Sequence, residues 1–429
     1  MPDVANLEIH LDGAWRAAAS VRVLGAAERG WEARTDVGYS ADYVLDNEGR
    51  TDATALSVNL PVSLESIRGE TWPPFLADLL PQGFGRQELL RQLGMPETSA
   101  ASADWRLLLA GAGNPIGNIR VREAADRLEE HALRDRRGFT EGEVVERGDA
   151  FTEHLVRHGL FVAGSSGVQG EWPKILLAEG KDGLYYLDHA LPDEDVAAHW
   201  LVKFSRGPSA ALATILRLEA PYMDLARHLG LDVHGRMRGG PRTVFIPRFD
   251  RAVTTAGVLR YGQESIASLC GLAGFGLAPS HNVALRRLAA VCSHRERDVI
   301  EYVRRDVANI ALGNKDNHAR NTAIQRRADG YVGLTPLFDF VPMMLHPDGI
   351  ARRMRWESDD AGAPRWASVI RQVVDTTGIE AAALTRALIE MVGPLRRLRQ
   401  RALEIGVDEA VMDMQRASID DIVAQLEAL

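Results

Sequence analysis

Cysteine is nearly absent from this chain of 429 residues, which has only Cys270 and Cys292. Neither lies in a CxxC or Cys/His spacing, which excludes a disulfide-stapled scaffold and a structural zinc site. Both fall in segments with helical periodicity and are expected to be buried as small hydrophobes. No apolar run approaches the roughly 18 residues of a membrane-spanning helix. The N-terminal stretch MPDVANLEIHLDGAW lacks a basic segment backed by an apolar one, so no secretory signal is read and a cytoplasmic protein without membrane contact is expected. Repeats, heptads and low-complexity tracts are also missing. Lysine is the scarcest cation, four residues against 46 arginines. Such a bias makes most surface arginines uninformative and draws attention to Lys174, Lys181, Lys203 and Lys315, because a guanidinium does not replace a compact ammonium.

What is present is ordinary globular material, 46% hydrophobic and 25% charged. The length suggests about two or three domains. A net charge of −9 weighs against an extended nucleic-acid-binding surface. The first 70 residues alternate in short segments broken by Gly, Asp and Asn, which predicts a small antiparallel sheet. Helices are expected over PPFLADLLPQGFGRQELLRQLG and ADWRLLLAGAG, followed by a strand in IGNIRVRE. Residues 123–150 read as a charge-rich connector. Beyond it lie a helix through Phe161, the small-residue loop 163–174, the hairpin around EGKDGLYY, the strand HWLVKF, a long helix from Ala211 and the strand RTVFIPRFDR. Helical periods dominate from 263 onward, interrupted by GNKDNHARNTA and by a strand pair ending LTPLFDF. The expected architecture is α+β and two-lobed, with a β-rich front (1–122), the connector (123–150), a nucleotide-binding region (151–255) and an all-α C-terminal lobe (256–429).

The sharpest chemical signal is Asp316-Asn317-His318-Ala319-Arg320-Asn321, with Asp339-Phe340 eighteen residues further on. Phosphoryl transfer to a hydroxyl needs a carboxylate to accept the proton, and an amide and a second carboxylate to hold Mg²⁺ against the phosphates. A protein-kinase catalytic loop spaces its Asp and Asn five apart and follows them with Asp-Phe, and that spacing is present here. The alternative is a polar capping loop, where Asp and Asn are favoured anyway. Upstream, AGSSGVQG is a flexible loop of the kind that covers phosphates, though Gly/Ser turns are common. Lys203 sits in an apolar strand and Glu219 in the next helix, four residues before Met223, as an ammonium and its carboxylate partner would. The competing reading of Lys203 is an edge-strand cation kept for solubility. Lys174 ends the loop, where it either touches phosphate or caps the strand. Lys315 is either a phosphate contact or a solvated loop cation, and Lys181 lies in a surface turn. The run RRLRQR (396–401) is either a basic contact or a solvated helix face.

These parts stand in kinase order, and the chain resembles the HipA family, the serine/threonine-protein kinase toxins of bacterial toxin–antitoxin pairs. The resemblance rests on SVNLPVSL and FLADLLPQG at the front, Ser166–Gln169 with Pro173-Lys174, Ile246–Arg251 (IPRFDR), Tyr261–Ser265 (YGQES) and GNKDNHARN, and it spans nearly the whole chain. It implies ATP and Mg²⁺, with Asp316 as catalytic base, Asn321 and Asp339 as metal ligands, Lys203 on the phosphates and His318 beside them. It further implies that Gly164, Ser165, Ser166, Gly167, Val168, Gln169, Lys174, Glu219 and Gln263 belong to the nucleotide site, with Pro247 and Phe249 at the adenine hinge. Members silence themselves by phosphorylating a serine of the Gly-rich loop, for which Ser165 and Ser166 are the candidates here. The implied partners are a HipB-like helix-turn-helix antitoxin, through which DNA is met only indirectly, and a protein substrate such as an aminoacyl-tRNA synthetase. Gly170-Glu171-Trp172 interrupts the loop, Pro247 replaces a hinge Glu and Val341 replaces the Gly after Asp-Phe, which marks a divergent branch. The alternatives carried forward are a catalytically weak co-repressor that only binds its antitoxin, and a small-molecule kinase.

Overall fold

The computed structural model describes residues 3–95, 101–132, 136–157, 173–205, 207–240, 242–255 and 257–429. The chain divides into two compact units. The first comprises Met1–Phe204, Phe245–Leu277 and Gln325–Tyr331, and the second Ser205–Val244, Ala278–Ile324 and Val332–Leu429.

The first unit opens with β1 (Val4–Leu11), β2 (Ala14–Leu24), β3 (Arg34–Tyr39), β4 (Ile67–Gly69) and β5 (Ile119–Val121), in the order β4-β3-β2-β1-β5. Asp12 and Gly13, both at positive φ (50° and 77°), form the two-residue turn between β1 and β2, and the Asp-Gly pair suits the twist of the flanking strands. Leu7, Ile9, Val21 and Val37 enter a core shared with Leu76, Leu80, Trp72 and Trp105. The two indoles meet edge to face at 5.4 Å. The helix expected over residues 73–94 is split into Leu76–Leu79 and Gly83–Gln92, because Leu80 is extended ahead of Pro81.

The second sheet of this unit is built from β6 (Lys174–Gly180), β7 (Tyr185–Leu187) and β8 (Val196–Phe204). In sequence, a two-residue strand of the second unit, β9 (Arg238–Gly239), then leads to β10 (Thr243–Pro247). The order β7-β6-β8-β10 makes β8 an interior strand. The charge-rich stretch 123–150 is more than a connector. The helix Arg122–Ala132 buries Ala124, Ala125 and Leu128, and Glu141–Glu146 is closed by a capping box between Thr140 and Glu143. Phe139, Val144 and Phe151 join Ile175, Val202 and Phe245 in a second core. IPRFDR is likewise not one strand, since β10 stops at Pro247 and β11 (Arg251–Thr254) starts a hairpin with β12 (Gly257–Arg260). Gln263-Glu264 lies in β13 (Gly262–Ser265), whose last residue caps Ile266–Leu269 through Ser265 Oγ.

The second unit is mainly helical. The helix Ala210–His228 is capped by Ser209, and Arg295–Ala311 leads into the loop before β14 (Ala323–Arg326), which is followed by β15 (Val332–Leu334). Thr335 N donates to Ala323 O at 3.0 Å, so the C-terminal part is more helical but carries this strand pair. Five further helices run from Trp366 to Glu427. Cys270 and Cys292 sit at helix C-caps and are only half-buried, because the chain turns out of the helix at each.

Candidate active site

In the first unit, Lys174 and Lys203 are register partners on β6 and β8. Directly opposed residues of an antiparallel pair point to the same sheet face, with their Cβ atoms about 5 Å apart. Both side chains are buried, at 6% and 3% exposure. Since β8 is interior, Lys203 is not an edge cation. By contrast Lys181 and Lys315 are exposed.

Arg248-Phe249-Asp250-Arg251 forms the polar heart of the same unit. Arg248 is bridged to Asp250 and donates to Asp188 Oδ2 at 3.1 Å, while Arg251 lies 2.8 Å from the same Asp188 oxygen. His199 Nδ1 donates to Asp188 Oδ1 at 2.6 Å, and Gly117 N donates to Asp250 Oδ2 at 2.8 Å. Burial alone would raise both carboxyls, but the Arg248 and Arg251 guanidiniums hold Asp188 and Asp250 below the usual carboxylate range. The motif therefore locks β8, β10 and β11 together. At the segment expected to form the hinge, Phe249 O accepts from Gln325 Nε2 at 3.0 Å, and Pro247 offers no N–H.

Glu264, rather than the half-buried Gln263, is the tightly held residue of YGQES. It accepts from Ser57 Oγ at 2.6 Å, Val58 N at 3.0 Å and Ser268 Oγ at 2.9 Å. Arg326, fully buried, donates to the carbonyls of Asp52, Ala55 and Leu56. The shared segments at the front of the chain are thus held to YGQES by long-range polar contacts that no local spacing announces.

In the second unit, the loop 314–322 is shaped by its own side chains. Asn321 Nδ2 donates to the Asp316 carbonyl at 2.7 Å, and Asn321 N donates to His318 O at 2.9 Å. Arg320 N donates to His318 Nδ1 at 3.2 Å, and His318 Nε2 lies 3.8 Å from Asp316 Oδ1. The Asp316 side chain is 34% exposed. With its nitrogen committed, Asn321 has Oδ1 left to offer. Asp339 adopts φ 53°, a conformation that Asp tolerates better than most residues, ahead of the fully buried Phe340. Phe340 packs against Tyr222 of the helix Ala210–His228, whose buried face also carries Glu219 and Met223. Val341, in place of Gly, is buried as well and fixes the chain beyond Asp339. An amide oxygen and a carboxylate are the hard donors that Mg²⁺ takes when it shares its remaining positions with phosphate and water.

Gly164, Ser165, Ser166, Gly167, Val168 and Gln169 lie outside the described residues. In RRLRQR, Arg396 pairs with Glu427, Arg399 with Glu409 and Asp413, and Arg401 with Glu404. Among the described residues no helix is long and apolar enough to cross a membrane.

An α+β chain with a β-rich N-terminal region and a more helical C-terminal part, organised in this way, has the HipA-like kinase fold. The HipA chain from a complex of Shewanella oneidensis MR-1 HipA, HipB and operator DNA superposes over 98% of this chain and 97% of its own, with a TM-score of 0.66 at 20% identity. The HipA N-terminal domain matches residues 23–122 and the HipA-like C-terminal domain residues 166–398. The chain belongs to the HipA family. Y4mE of Sinorhizobium fredii (strain NBRC 101917 / NGR234), whose kinase name is provisional, is 27% identical over 330 residues, which is 73% of this chain and 74% of that protein.

Proposed function

We propose that the chain is an ATP- and Mg²⁺-dependent serine/threonine-protein kinase of the HipA toxin type. The observation that carries this reading is the loop geometry, in which Asn321 Nδ2 is tied to the main-chain carbonyl of Asp316 rather than to its carboxylate, at the five-residue spacing of a kinase catalytic loop. In this reading Asp316 accepts the proton of the acceptor hydroxyl, and His318 stands beside it on the phosphate side. Lys203 and Lys174 stabilise the phosphates, with Glu219 as the buried carboxylate of the same machinery. Asn321 Oδ1 and Asp339 would hold Mg²⁺, which would supply charge stabilisation to the transferring group. Pro247, Phe249 and Gln263 belong to the nucleotide pocket, where backbone groups replace the contact of a hinge carboxylate. Ser165 and Ser166 are the proposed autophosphorylation sites, because a phosphate there adds about −1.5 to −2 charge where nucleotide phosphates must sit. A HipB-like antitoxin is the proposed partner, with DNA met through it, and the acceptor is a cellular protein such as an aminoacyl-tRNA synthetase.

Intact-protein mass spectrometry after incubation with Mg-ATP is expected to show an added phosphate that maps to residues 163–174. Lys203→Arg is expected to lower that transfer at least about tenfold, because the planar fork of Arg does not replace a compact ammonium beside Lys174. No ATP binding by the wild-type chain, together with retained co-repression by an antitoxin, would instead favour a binding module, and full transfer by Lys203→Arg would remove Lys203 from the site.

A further inference from the structure

Asp316 lies in a loop without regular secondary structure, so tethers set the direction of its carboxylate. Its immediate neighbour Asn317 supplies one: Asn317 Nδ2 donates to Asp306 Oδ1 at 3.2 Å. Asp306 is buried (2% exposed) near the end of the helix Arg295–Ala311 that delivers the loop. Both oxygens of its carboxylate accept further hydrogen bonds. Arg352 Nη2 donates to Oδ1 at 3.1 Å and to Oδ2 at 2.9 Å, and Trp356 Nε1 donates to Oδ2 at 2.8 Å. Arg352 is itself held by Asp360 at 3.1 Å. Burial would push the Asp306 carboxyl up, but the Arg352 guanidinium outweighs it and keeps the group ionised. The amide orientation of Asn317 follows, since an ionised carboxylate only accepts, and this leaves Asn317 Oδ1 buried with no partner. A buried amide oxygen left unsatisfied has a cost, and the Asp306 contact is what holds the amide there.

We propose that Asp306 is a positioning residue for phosphoryl transfer, acting through Asn317 to fix the direction of Asp316, with Arg352 holding the Asp306 carboxylate in place. This rests on the reading of Asp316 as catalytic base. Misplacing a reacting group by about 1 Å costs on the order of 10²-fold in rate. Asp306→Asn and Asn317→Ala in the full chain are therefore each expected to lower kcat by about 10²-fold, with KM for ATP within about twofold of wild type. The two losses act through one contact, so the double variant falls no further than the worse single one. The exchange Asp306→Asn with Asn317→Asp, which reverses donor and acceptor, restores part of kcat. Should Asp306→Asn not fold, Asn317→Ala decides the matter alone, because it leaves the Arg352 and Trp356 contacts intact. Wild-type kcat in folded Asn317→Ala, or additive losses in the double variant, overturns the proposal while the kinase reading stands. No transfer by the wild-type chain overturns both.

Discussion

Asp316→Ala is expected to slow phosphoryl transfer from ATP by about 10²–10⁴-fold, the span of a lost general base. The same variant should bind ATP and unfold thermally as the wild type does. The reason is specific to the loop. Asn321 grips the main-chain carbonyl of residue 316, not its carboxylate, and an alanine keeps that carbonyl in place. A comparison with Asn321→Ala sharpens the point, since that change removes the tether and the proposed metal oxygen together and should disturb both the rate and its Mg²⁺ dependence. Single-turnover transfer measured beside a melting curve separates the two. A folded Asp316→Ala with wild-type transfer contradicts the assignment.

Asp250→Ala is expected to have the largest effect on stability, about 3–5 kcal/mol, because it leaves Arg248 and Arg251 buried with one counter-charge removed. Chemical denaturation followed by a probe in the first unit checks this, and a loss under about 1 kcal/mol contradicts it. The pH dependence has a definite sign. Asp188 and Asp250 both titrate below the ordinary carboxylate range when folded, because neighbouring guanidiniums outweigh burial. Their contribution is therefore fully present above the unfolded value of about 3.9 and is lost as pH falls through the lower folded values. The gap between wild type and Asp250→Ala should stay constant from about pH 8 to 5 and narrow below about pH 4.

Local patterns in the sequence carried much of this. The strand around Lys203 was legible because apolar residues flank it, and the Asp316–Asn321 spacing because loop chemistry is written in consecutive residues. The capping box at Thr140–Glu143 was also written locally, yet the density of charge in 123–150 masked the one-sided burial of Ala124, Ala125, Leu128 and Val144. Lys174 reads as undecided in sequence, and only the register of β6 against β8 sets it beside Lys203. Glu264 with Arg326, and Asp306 with Arg352 and Asn317, join residues too far apart in sequence for any periodicity to couple them. Such contacts are set by tertiary packing, and a single sequence is silent about them. IPRFDR reads in sequence as a hinge strand, whereas its charged residues form a buried lock with Asp188.

The most direct measurement is transfer of the γ-phosphoryl group from Mg-ATP by the purified chain, run side by side with Asp316→Ala and Asp339→Ala variants whose folding is checked by melting. The account predicts label on protein for the wild type, lost on chelation of Mg²⁺ and lost in both variants. Equal transfer by all three, or no ATP binding by the wild-type chain, would contradict it.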